Sequence, residues 1–137
     1  MKNTLFLVVL LIVAGSCHAQ LSDIQSSPES VMKEVFRAAD TRDFSNLHLL
    51  CPPDNSNDGD TQQYICDAES ASEKTKDEYV SYFKEAKING EITYGKSSNG
   101  NKKAAVPFWF NHPSGESRSN ETMNLVEIEG KWYLSSF

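Results

Sequence analysis

SNGNKKAAVPFWFN, residues 98–111, decides the fold class of this 137-residue chain. Its first four residues, Ser98-Asn99-Gly100-Asn101, make a tight hairpin turn, because Asn and Gly accept the positive φ that short connections between strands require. From Lys102 to Asn111, Val106, Phe108 and Phe110 fall on one face and Trp109 on the other, the period of two that belongs to a strand. Pro107 has no backbone N–H to donate, so this strand has either an edge or a bulge at that point. Working outward, Ile92-Thr93-Tyr94 is the incoming strand. Beyond the His112-Pro113-Ser114-Gly115 loop, Glu121 to Ile128 and Lys131 to Phe137 form a second hairpin across Glu129-Gly130. The second half of the chain therefore predicts four consecutive antiparallel strands.

Upstream of Glu91 the period is helical. Ser26 or Ser27 caps a first helix, Pro28 suits its first turn, and Ser26 with Glu29 has capping-box spacing. Val31, Val35, Ala38 and Ala39, with Met32 and Phe36, form its buried stripe. After Thr41-Arg42, Asp43 is placed to cap a second short helix that turns Phe44, Leu47 and Leu50 to one face and stops at Pro52-Pro53. A third helix starts at the Ser70/Glu73 box, carries Tyr79, Val80, Phe83 and Ala86 inward, and ends at Asn89-Gly90. Helices first and strands second give an α+β domain, with N-terminal helices packed on a curved four-stranded antiparallel sheet that wraps the first of them.

Two segments carry a resemblance. SPESVMKEVFRAADTRDFSNLHLLCPPD (27–54) resembles the opening of the nuclear transport factor two-like, or cystatin-like cone, superfamily: an apolar stripe, an acidic turn, then a short Leu-rich helix. EIEGKWYLSSF (127–137) is similar to that superfamily's last hairpin, with its Gly-Lys-Trp turn and alternating final strand. Within the superfamily the chain resembles small bacterial envelope lipoproteins grouped as a domain of unknown function and sometimes labelled lumazine-binding. The resemblance implies a cone-shaped domain over residues 27–137 with a pocket between sheet and helices. It implies no reaction.

The segment ahead of the domain reads as an export signal. Lys2 precedes the apolar run from Leu5 to Val13, and small residues follow it. The run falls short of the roughly 20 apolar residues that a membrane-crossing helix needs. Two cuts fit the junction. Ala14-Gly15-Ser16-Cys17 resembles a bacterial lipobox, with Ala14 where leucine is usual, and makes Cys17 the lipidated N-terminus. Residues 1–16 are then a lipoprotein signal peptide, 17–26 a polar tether, and the membrane a partner through the N-terminal lipid, each buried methylene contributing about 0.8 kcal/mol. Cys17-His18-Ala19 before Gln20 also fits an ordinary signal peptidase site, which releases a periplasmic or secreted protein instead.

Either cut takes Cys17 out of the pool of free thiols. Cys51 and Cys66 remain, and an oxidising compartment predicts a disulfide between them, for which the chain-entropy estimate is about 3 kcal/mol. Two cysteines without a nearby histidine pair are too few for a metal, and the pair lacks the C-x-x-C spacing of a redox couple. Nineteen acidic residues against thirteen basic ones, a net charge of −6, and no basic stripe interleaved with aromatics argue against nucleic acid as a partner. No motif calls for a cofactor.

The residues offer two kinds of function. Phe36, Tyr79, Phe83, Phe108, Phe110 and Trp132, with Trp109, are the aromatic pool from which a pocket for a small apolar ligand or an envelope partner could be lined, or which could simply fill the core. The open face of the sheet also leaves room for a homodimer. The alternative is a pocket enzyme of the isomerase or polyketide-cyclase type, in which an Asp or an Asp/His pair acts as general base and a tyrosine stabilises an enolate. Its candidates are Asp40, Asp43, His48, His112, Tyr64, Tyr79, Tyr82 and Tyr94, but Asp43 is explained by capping, His48 by the surface and His112 by its loop. Asp54 to Asp60 matches the first half of a calcium loop, yet Ile65 stands at the twelfth position, where a bidentate glutamate is needed. Asn120-Glu121-Thr122 fits the glycosylation pattern, relevant only to a eukaryotic secretory route. The expectation is a non-catalytic envelope lipoprotein with a binding pocket, with no catalytic and no metal-ligating residue assigned.

Overall fold

The first helix, α1 (Pro28–Thr41), begins where Ser27 leaves the helical region and its Oγ accepts the Ser30 amide at 3.1 Å. Pro28 occupies the first turn, where its missing N–H has no intrahelical partner to lose. The computed structural model describes residues 23–111 and 118–137, and within them α1 is the core helix: Val31, Met32, Val35, Ala38 and Ala39 are all buried. Arg42, in the left-handed region at φ 57°, ends it.

A 3-10 turn (Leu47–Leu50) follows, burying Leu47 and Leu50. Asp43 does not cap it. Its Oδ1 accepts the Ser45 amide and hydroxyl at 3.2 and 2.6 Å, closing a turn before the helical residues start, and Asn46 at the cap position makes no side-chain capping bond to the turn. The Cys51–Cys66 disulfide, with Cα atoms 6.0 Å apart, joins the end of this turn to the end of a π-helical turn (Gln62–Cys66) that continues directly from α2 (Gly59–Thr61). Asp58 caps α2 through the Thr61 amide. The last helix, α3 (Glu73–Phe83), is capped by Ser72, whose Oγ accepts the Thr75 amide; the Ser70 hydroxyl bonds back to the Asp67 carbonyl instead.

α3 stops earlier than its sequence suggests. Lys84 is extended, Glu85 adopts φ 60°, and its amide donates to Asp40 Oδ1 at the end of α1, so the chain is already turned when it reaches Lys87. The freed residues make a strand that sequence periodicity does not show. Among the described residues the antiparallel sheet thus has five strands, not four: β1 (Lys87–Ile88), β2 (Thr93–Lys96), β3 (Lys102–Asn111), β4 (Arg118–Ile128) and β5 (Lys131–Ser136). β3, β4 and β5 lie side by side, and β1 and β2 share the other side of β3.

Pro107 explains why that side is shared. The Asn89 amide donates to the Pro107 carbonyl at 2.8 Å, so the backbone of Pro107 faces β1 and β2, and its missing N–H is missing there. Between the Ile88–Phe108 and Thr93–Ala105 pairs the edge chain carries extra residues, including Gly90 at φ 126°. A Cβ on Gly90 would stand 3.1 Å from Pro107 Cγ. The second hairpin closes as its sequence requires, with Glu129 and Gly130 both at positive φ.

Ala104, Val106, Phe108, Met123, Leu125, Trp132 and Leu134 fill the inner face of the sheet against α1 and α3. α1 touches β1, β3 and β5, so the sheet curves round it. Chain that the sequence assigns to a tether also belongs to the packed unit: Ile24 packs on the core, and Gln25, 6% exposed, accepts the Trp132 amide at 3.0 Å and returns its side-chain amide to the Trp132 carbonyl.

Candidate functional site

The aromatic residues divide into two groups. Phe36, Tyr79, Phe83, Phe108 and Phe110 form one continuous cluster: Tyr79 lies 4.9 Å from Phe83, Phe83 6.2 Å from Phe108, and Phe108 6.0 Å from Phe36 and 6.2 Å from Phe110, centroid to centroid. All but Phe110 are buried, so these rings spend their surface on one another. Phe110 is partly exposed and reaches Tyr82 at 6.0 Å. Trp132 stands apart at the other end of the sheet, edge-on to Tyr94 at 6.1 Å. That contact crosses β3 and β4, and the alanine at 104, directly between Tyr94 and Leu125 in the ladder, leaves the space for it.

Three of the polar candidates, Asp40, Asp43 and Tyr79, are tied into bonds that hold the fold. Asp40 holds the Glu85 amide; Asp43 holds Ser45 and Arg37 Nη1, and the Ser45 bonds keep its carboxyl below the ordinary aspartate range. Tyr79 donates its hydroxyl to the Val35 carbonyl at 2.8 Å, and burial pushes its pKa well above that of a free phenol, with the Glu34 carboxylate adding to the rise. His48 is exposed, with Nδ1 3.7 Å from Glu69. Tyr64 and Tyr82 are partly exposed, and Tyr94 is exposed. His112 lies outside the described residues, as does Cys17. The half calcium loop is used for turns: Asp54 accepts the Ser56 amide, Asp58 caps α2, and Asn57 donates to Cys66 Sγ.

One buried acid escaped the sequence reading. Glu34 sits inside the apolar stripe of α1 at 6% exposure, gripped by Arg37 through Nε and Nη2 at 2.8 and 2.6 Å and by Asn46 Nδ2 at 3.0 Å. The signal for it was an acid and an arginine three residues apart within an otherwise apolar face. The Glu34 bonds and charge raise the Arg37 pKa further above its already basic value, and the bond from Asn46 ties α1 to the start of the 3-10 turn.

Away from the core, the outer face of the sheet carries an open groove of about 480 Å³ whose floor is Gly95, Ala105 and Asn124, with Thr93, Lys103 and Ser136 around it. Small side chains at Gly95 and Ala105 are the reason it exists. It runs up to β2, all four of whose residues are exposed, Tyr94 at 62%. Among the described residues β2 pairs with β3 and with no strand on its other side. Groove and edge together are a surface that can bind; among the described residues no three His, Cys, Asp or Glu side chains gather as a metal centre would need, and no helix is long and apolar enough to cross a membrane.

Compared with known proteins, the chain matches no family profile and has no curated relative at a significant level of similarity.

Proposed function

We propose that this chain is an exported, lipid-anchored domain of the bacterial cell envelope, of nuclear transport factor two-like architecture, that binds a small apolar ligand or a partner protein and performs no reaction of its own. The Cys51–Cys66 bridge carries the reading: such a bond persists in oxidising compartments, and here it closes the connection between α1 and α3. The apolar run ahead of Cys17 supplies the route to that compartment, and the lipobox-like residues supply the anchor. A curved sheet wrapped round α1 supports the cone architecture. Binding is favoured over catalysis because Asp40, Asp43 and Tyr79 are each consumed in a bond that holds the fold, while an open groove and strand edge remain on the surface.

Intact mass tests the anchor. The mature protein, expressed in a bacterial host and taken from envelope membranes, should have the mass of a chain that starts at acylated Cys17 with its remaining pair oxidised. A mass starting at unmodified Gln20 would make it a soluble periplasmic or secreted domain.

A further inference from the structure

β2 presents half of its hydrogen-bonding groups outward. The Ser97 amide donates to Asn101 across the turn, and strand backbones alternate, so Gly95 and Thr93 bond inward to β3 while the N–H and C=O of Tyr94 and Lys96 face away from the sheet. An edge of this kind pairs with an extended chain unless something covers or repels it. From Ile92 to Asn111 the charged residues are Lys96, Lys102 and Lys103, without one acid, in a chain of net charge −6. Lys102 is paired with Glu127 at 3.0 Å, whereas among the described residues Lys96 and Lys103 make no ion pair.

We propose that the outer edge of β2 is a docking site for an extended acidic segment of another protein, which joins the sheet as a further strand. The segment's backbone pairs with Tyr94 and Lys96. On the inner side its side chains meet the Tyr94 ring and the Lys96 ammonium. On the outer side they overhang the groove that Gly95 and Ala105 leave open, beside Lys103. Charge sets the choice of occupant: a second copy pairing through the same edge would bring its own Lys96 to the seam, with no acid within β2 to meet it. The proposal takes the binding reading further by naming the partner's chemistry, and it does not depend on the lipid anchor.

The test uses the oxidised mature protein, 15N-labelled, titrated with a short synthetic peptide alternating glutamate and valine. Controls are a lysine–valine peptide and an N-methylated glutamate–valine peptide whose amides cannot pair. The acidic peptide should shift the Tyr94 and Lys96 amides, and both controls should leave them in place. Tyr94→Pro removes an outward donor without touching the β2–β3 ladder and should weaken binding by about tenfold or more, as should Lys96→Glu, which leaves the backbone intact. Three results would overturn the proposal: no shift at β2 with millimolar peptide, an equal response to the N-methylated peptide, or shifts that follow protein rather than peptide concentration, which would identify a second copy as the occupant. Any of these alongside an acylated Cys17 in the intact mass would leave the anchored reading standing.

Discussion

The two edges of the sheet are treated in opposite ways. At β5 the outward edge is bonded at two places: Trp132 exchanges bonds with Gln25, and Ser135, the extra residue where the β4–β5 register shifts, turns its carbonyl to the Asp58 amide at 2.9 Å. Asp58 belongs to the disulfide loop, so the Cys51–Cys66 bridge helps to seal that edge. At β2 there is no cover among the described residues, only lysines. Charge follows the same division. Between Arg42 and Lys74 the chain has no lysine or arginine, and Asp54, Asp58 and Asp60 lie on the loop that closes the β5 side. A covered edge contributes to stability, while an uncovered one can still pair with another chain, a tendency that lysine limits.

Substitutions should separate the two edges. Trp132→Ala removes the buried ring under the Gln25 cover and should cost about 3–5 kcal/mol in denaturant unfolding. Reduction of the disulfide should cost about 3 kcal/mol, with faster exchange of the Asp58 amide as the loop loosens. If exchange at Asp58 is unchanged, the bridge does not hold the cover. Gln25→Ala takes a donor from the Trp132 carbonyl and should cost about 1–2 kcal/mol, which would also show that the folded unit extends into the segment read as a tether. At the open edge, Tyr94→Pro should cost about 1 kcal/mol or less, chiefly the lost contact with Trp132. A cost there as large as that of Trp132→Ala would mean that the β2 edge is built into the fold and is not free.

Much of this asymmetry was legible in particular residues. Asn99-Gly100 and Glu129-Gly130 mark both hairpins, alternation from Ala104 to Phe110 assigns the inner face, and Cys51 and Cys66 pair as counted. Pro107 announced an irregularity but not its place, because the irregularity lies in the neighbouring chain, where β1 and β2 are separated by Gly90. β1 itself was hidden because two residues carry no period; it exists by pairing with Trp109 and Phe108. Asp43, Ser70 and Ser72 show a related limit. Several polar residues near a helix start can bond to the backbone, and packing selects among them. Glu34 was missed because a charge on an apolar stripe reads as a boundary until its partners, Arg37 and Asn46, are brought together by the fold. The proposed binding edge was the least legible feature, since it depends on how the strands order themselves in the sheet, with β2 paired on one side alone among the described residues.

Residue-resolved amide hydrogen exchange on the oxidised protein tests the account most directly. The amides of Trp132 and Asp58, bonded outward from or onto β5, should be protected many-fold over those of Tyr94 and Lys96, which face away from the sheet. Equal protection at Tyr94 and Lys96 would mean that the β2 edge is covered, and the contrast between the two edges would fall.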